Sequence, residues 1–154
     1  MFSKILYPTD FSEPADRSLA YLKQLRQAGA EKIYILNVIH QRIIDTLEIM
    51  HKTVYFQDGR YQEDPEGALA RLVAERKQCM VPLAAELEDA GYQVTTLIVE
   101  GHPVKEILKQ EQETQASVIV IGSHGQNNFR RTRLGGVAEK IVRRSSVPVF
   151  IVRR

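Results

Sequence analysis

Cysteine is nearly missing from this chain. Cys79 stands alone among 154 residues, so no intramolecular disulfide can form and nothing points to an oxidising compartment. Within a helical pattern, Cys79 reads as a small buried apolar residue rather than a reactive thiol. Long apolar runs are also absent: no stretch approaches the ~20 residues needed to span a membrane. The opening MFSKILYPTD places a charge and Pro8 where a signal peptide would carry an uninterrupted apolar stretch. A soluble, cytoplasmic protein is the expectation.

Nor is there an excess of one charge. Lys and Arg number 21 against 19 Asp and Glu, leaving +2, which excludes a globally acidic or basic tail protein. The mean conceals an asymmetry. Thirteen basic and eighteen acidic residues precede Gly122, whereas eight basic residues and only Glu139 follow it. A basic final fifth suggests that this part of the chain handles an anion. The length suits one domain over residues 1–154, able to bury about 70% of its unfolded surface without disulfide or metal.

What is present is an alternation of short β-branched runs with longer helical patterns. Ile5–Tyr7 reads as a strand that Pro8-Thr9-Asp10 breaks. A helix begins near Ser12 or Glu13, with Pro14 in its first turn, carries Ala15, Leu19, Leu22, Leu25 and Ala28, and stops at Gly29. Lys32–Ile39 is apolar almost throughout, as a strand covered on both faces should be. Gln41–Asp64 reads as a variable excursion with one short helix (Ile43, Ile44, Leu47, Met50) and a turn at Gln57-Asp58-Gly59-Arg60. A long helix starts at Asp64-Pro65 and ends at Gly91, with a kink expected at Pro82. Val94–Val99, Val118–Ile121 and Val149–Val152 complete the strands. A short helix after His102-Pro103 and another from about Gly135 to Arg144 lie between them. Such alternation predicts an α/β fold with a parallel sheet and helices on both faces.

Several chemistries are excluded by what the motifs lack. There is no G-x-x-x-x-G-K-[ST] and no G-x-G-x-x-G. A nucleophile elbow at Ser123 would need glycine where Ile121 stands. His40, His51, His102 and His124 have no metal-ligand spacing among themselves or with Cys79, and read as surface or structural histidines. The informative segment is Gly122–Gly136, GSHGQNNFRRTRLGG, which leaves a strand and enters a helix. Its glycines let a bulky anion approach the backbone, and the helix start offers unpaired N–H groups at the positive end of its dipole. Arg130, Arg131 and Arg133 add charge. A phosphate cradle and a flexible basic connector both fit these residues.

The spacing Gly122-x2-Gly125-x9-Gly135 resembles the glycine signature of the universal stress protein family, in its ATP-binding branch. Ile5–Glu13 (ILYPTDFSE) is similar to that branch's opening strand and loop. Leu36-x-Val38-Ile39, Gly101-x-Pro103 and Ser146-x-Pro148-Val149 match later elements, and only Gln41–Glu63 is unmatched. One departure stands out: Gly136 replaces the branch's Ser or Thr, removing a hydroxyl that would contact the terminal phosphates.

The resemblance implies a five-stranded, Rossmann-like sheet of order 3-2-1-4-5, which periodicity alone does not supply. Ligands of such sheets sit at the carboxyl ends of the strands flanking the reversal. It further implies ATP, or ADP or AMP, with Mg or Mn held through the phosphates and no metal bound directly by the protein. Pro8, Thr9, Asp10 and Val38 would line the adenine and ribose side. Ile121, Gly122 and Ser123 would close the strand end, with Gly122 at the ribose. Gly125, Gly135, Gly136 and Val137 would offer N–H groups to the phosphates, with Arg130 and Arg131 in reach. Asp10 either meets a sugar, base or cation or caps the first helix.

Three functions follow: a regulatory nucleotide-binding module acting as a homodimer through Val149–Val152 in stress response, a slow ATP hydrolase, or a dimeric scaffold without nucleotide. The first is the reading adopted. YPTDFSE lacks the glycines of an adenylating pyrophosphate loop, no residue stands out to position an attacking water, and no aromatic-basic interleaving supports nucleic-acid binding.

Overall fold

The computed structural model describes residues 1–12, 15–57, 65–123 and 134–153. The expected turn over 57–60 therefore lies largely outside the described residues, as do Pro14, His124, Gly125, Arg130, Arg131 and Arg133. In chain order the elements are β1 (Lys4–Pro8), α1 (Ala15–Gln27), β2 (Lys32–His40), α2 (Gln41–Gln57) and α3 (Pro65–Asp89). They continue with β3 (Gln93–Gly101), α4 (Pro103–Thr114), β4 (Val118–Gly122), α5 (Gly136–Arg144) and β5 (Val149–Val152). Every pairing is parallel and the order is β3-β2-β1-β4-β5, as expected.

Alternation along the strands divides the core in two. Ile5, Tyr7, Ile33, Ile35, Val118 and Val120 face α1 and α3, where Leu22, Met80 and Leu87 are buried. Leu6, Leu36, Ile119 and Ile121 face the other way, toward Ile107, Ala138 and Ile141 of α4 and α5. Burial on both faces explains why the central strands read as continuous apolar runs. Each fully buried Leu or Ile contributes about 1.5–3 kcal/mol of transfer free energy. The first and third helices both stop at a glycine of positive φ, Gly29 at +100° and Gly91 at +94°, where a Cβ would be strained. Beside that second stop, the Tyr92 hydroxyl donates to the Leu22 carbonyl at 2.6 Å and ties α1 to the start of β3. Burial pushes its phenol up to about 12, with Arg26 opposing.

Two expectations are corrected. The excursion after β2 is not a short helix: α2 runs 17 residues. No glycine or proline interrupts Gln41–Gln57, and Gln41 Nε2 donates to Asp45 Oδ1 at 3.0 Å, an i,i+4 pair that supports the first turn. Cys79 is exposed rather than buried. Met80, Leu83 and Leu87 form the buried stripe of α3, and Cys79 sits about 100° round the helix from Met80, outside it. The helix runs on through Pro82.

The loop into the edge strand is held by one buried carboxylate. Glu111 of α4 is 4% exposed, and its Oε1 accepts from the Ser146 backbone N–H at 3.0 Å and from the Ser146 hydroxyl. Glu111→Ala removes both bonds and leaves the Ser146 N–H without its acceptor. We expect a loss of about 2–3 kcal/mol, read from the urea midpoint by circular dichroism.

Candidate functional site

The sheet order reverses beside β1. The connection from β1 leads to β2 on one side, while β4 lies on the other, so the chain leaves the carboxyl ends of β1 and β4 in diverging directions. A cavity of ≈ 620 Å³ opens there. Its wall includes Pro8 at the end of β1 with Thr9 and Asp10 beyond it, Val38 of β2, Ile121, Gly122 and Ser123 at the end of β4, and Gly135, Gly136 and Val137 entering α5. Ten residues singled out from the sequence thus meet around one space. Gly125, Arg130 and Arg131 fall outside the described residues.

Local hydrogen bonds shape each part of this wall. After β1 the Thr9 N–H continues the ladder to the Leu36 carbonyl at 2.8 Å. The chain then turns: Phe11 N–H donates to Thr9 Oγ1 at 3.1 Å, and Ser12 N–H to Asp10 Oδ1 at 3.0 Å, with the Ser12 hydroxyl on the same oxygen. Asp10 therefore closes an Asx turn well ahead of Ala15, where α1 begins. Phe11 takes a φ of +61°, sparsely populated for a bulky residue. Its ring lies 5.8 Å from the guanidinium carbon of Arg76, which α3 extends into the cavity wall.

Across the space, the Gly135 N–H is committed to the Ser123 carbonyl at 2.7 Å, which pins the end of β4 to the start of α5. The first-turn N–H groups of Gly136, Val137 and Ala138 follow, and no side chain among the described residues caps them. All three residues line the cavity, so the positive end of the α5 dipole faces it. A Cβ built on Gly136 meets nothing within 4 Å, so this position has room for a side chain. Lys140, one turn further, adds a cation to the same wall.

Sequence reasoning missed Tyr7, Asn37, His40, Ile43, Arg76 and Lys140, all of which line the cavity. Asn37 is 2% exposed, and its Nδ2 donates to the Thr9 carbonyl at 2.8 Å while Oδ1 has no partner among the described residues. A polar residue inside the apolar run KIYILNVI was the available signal, since a buried amide must find a partner. His40 ends β2. Burial, then Arg42 and His102, lower its pKa, with Asp45 opposing. No cluster of three or more metal-ligating side chains occurs among the described residues, and no helix there is long and apolar enough to cross a membrane.

Known proteins extend this geometry. The model of the universal stress protein family matches residues 1–153. Universal stress protein MJ0577 of Methanocaldococcus jannaschii is 36% identical over 156 residues, covering 100% of this chain and 96% of its own. The solved structure of MJ0577 superposes with a TM-score of 0.82 at 35% identity, covering 100% of this chain and 97% of the other. A universal stress protein from Archaeoglobus fulgidus, solved in complex with dAMP, shares the fold at 20% identity and a TM-score of 0.62, covering 99% of each chain.

The Asn37 bond can be tested without a ligand. Asn37→Ala leaves the Thr9 carbonyl without its donor but also removes the orphaned Oδ1, so the two effects partly offset. Asn37→Asp loses the same donor and places a carboxylate beside that carbonyl. We expect a cost of about 1 kcal/mol for the alanine and about 3 kcal/mol or more for the aspartate, measured by urea unfolding at neutral pH.

Proposed function

We propose that this chain, which belongs to the universal stress protein family, is a regulatory protein that binds an adenine nucleotide, ATP foremost, in the cavity beside β1. The reading rests chiefly on one observation. The loop after β1, the end of β4 and the N-terminus of α5 face one space large enough for a ligand. The base and ribose lie along Pro8, Thr9, Asp10 and Val38, with Gly122 against the sugar. The phosphates meet the N–H groups of Gly136 and Val137, where the helix dipole favours an anion. Gly125, Arg130 and Arg131 belong to the phosphate side by their place in the glycine signature. Asp10, bonded to Ser12, lies on the sugar and base side, and Mg or Mn is carried by the phosphates. The dAMP bound by the A. fulgidus protein supports the ligand class.

Gly136 makes this testable. A hydroxyl there would add a hydrogen bond to a charged group, worth about 1.5–3 kcal/mol. Gly136→Ser fits the open space beside the backbone. We expect it to tighten ATP roughly tenfold relative to ADP, with both dissociation constants measured by calorimetry at one salt concentration. An unchanged ratio would place the phosphates elsewhere. If neither version binds an adenine nucleotide, the dimeric scaffold without nucleotide takes over.

The working unit is a cytoplasmic homodimer joined through β5. This strand is an edge of the sheet, paired with β4, and it exposes 44% of Phe150, whose ring packs edge-on against Phe2. A two-fold pairing of such edges satisfies their backbone groups and covers the aromatic ring. Phe150→Lys should convert the dimer to monomer at micromolar concentration in light scattering, with the circular dichroism spectrum unchanged. A wild type that is already monomeric defeats the proposal.

A further inference from the structure

His40 is the last residue of β2 and immediately precedes α2. Its Nδ1 accepts the Arg42 N–H at 3.1 Å. That is an N-cap: a side-chain acceptor on the second helical N–H, one of the donors that a helix start leaves unpaired. The turn held in this way carries Ile43 into the cavity wall. His102 occupies the same place before α4, whose Pro103 and Ile107 line the cavity too, and the two imidazoles meet edge to face at 5.8 Å. Two histidines 62 positions apart thus stand together at the positive ends of two helices that wall one space.

A metal clamp does not fit this pair. A ligating histidine donates from its other ring nitrogen. In His40 that nitrogen accepts, which leaves the proton of the neutral ring on Nε2 rather than a lone pair for a metal.

We propose that His40 is a positioning residue for the ligand cavity: neutral, it caps α2 and keeps Ile43 in the wall; protonated, it releases that turn, and ligand affinity falls. The proposal rests on the nucleotide reading above. The charged and titratable groups facing His40 are Arg42 and Asp45 from α2 and His102 from the start of α4. From β3 the register places uncharged Gly101 opposite, with the Glu106 side chain against that glycine. Asp10, Arg76 and Lys140 share the cavity wall.

The sign follows from the chemistry. An imidazolium has no lone pair at Nδ1 to accept the Arg42 N–H, and it adds positive charge to the positive end of α2. The cap thus needs the neutral ring, and burial first, then Arg42 and His102, lower the His40 pKa below its ordinary 6.5. The stabilisation by the cap is complete above that ordinary value and is lost as pH falls from there through the folded pKa. Direct attraction of the imidazolium for phosphate opposes this only weakly. Strand β1 separates β2 from β4, so the phosphate side is about 10 Å away, about one Debye length at physiological salt.

The test titrates the full-length protein with ATP between about pH 7.5 and about pH 5.5, comparing variants at each pH so that the protonation of ATP itself cancels. We expect wild-type affinity to fall about fivefold more than that of His40→Asn, whose amide caps the same N–H without titrating, whatever its affinity at neutral pH. His102→Gln removes a neighbour that lowers the His40 pKa and should move the midpoint upward. A second readout needs no ligand: the protection factor of the Arg42 amide, its exchange rate set against the intrinsic rate at the same pH, should fall on acidification in the wild type and stay level in His40→Asn. Equal pH profiles for wild type and His40→Asn in both experiments overturn the proposal. Absence of ATP binding with the pH-dependent protection intact defeats the nucleotide reading and leaves the His40 cap standing.

Discussion

The site exists because β1 is hydrogen-bonded on both sides. Its pairing with β2 and with β4 buries Ile5 and Leu6 completely and places the loops that leave β1 and β4 side by side at the carboxyl edge. Since the chain proceeds from those two strands in opposite directions across the sheet, neither loop can cover the other's end. A space between them is the geometric result. The rigid strands then fix the separation of Thr9 from Ser123. Thr9 is held by its N–H on the Leu36 carbonyl and its own carbonyl on Asn37, and Ser123 by its N–H on the Val152 carbonyl and its own carbonyl on the Gly135 N–H.

The electrostatics of the cavity are shared between backbone and side chains. The start of α5 supplies partial positive charge with no desolvation cost for an ionised side chain. Lys140 and Arg76 add full charges from different walls. The one carboxylate among the described lining residues, Asp10, is already engaged by Ser12. This division suits a ligand with a polyanionic end against α5 and a neutral, aromatic end along Val38 and Leu36. Acidic residues dominate earlier in the chain, on helix faces such as that carrying Glu86, which pairs with Lys23 at 2.8 Å.

Much of this was legible along the chain. Short β-branched runs, bounded by turn residues and separated by period-3.6 patterns, located the five strands to within a few residues. Gly29 and Gly91 marked helix ends because only glycine accepts those φ angles without strain. Where the reading went astray, the competing signal was weak. Residues 41–57 combine modest apolar content with many polar side chains, so the length of α2 depended on the absence of breakers rather than on a stripe. Cys79 was assigned by residue type, and its true exposure depended on its angle about α3 relative to Met80.

By itself, then, the sequence determined the elements, the two-faced core and the glycine-bearing turn, because these depend on neighbours within a few positions. The order of strands came only through resemblance to a family, since side-chain alternation is the same wherever a buried parallel strand sits. Which distant residues share the cavity was decided by tertiary structure alone. Arg76 reaches it because α3 packs over the face that carries Tyr7 and Asn37. His40 meets His102 because parallel register sets the end of β2 against the end of β3. Such meetings depend on the crossing of whole elements, and spacing along the chain holds no record of them.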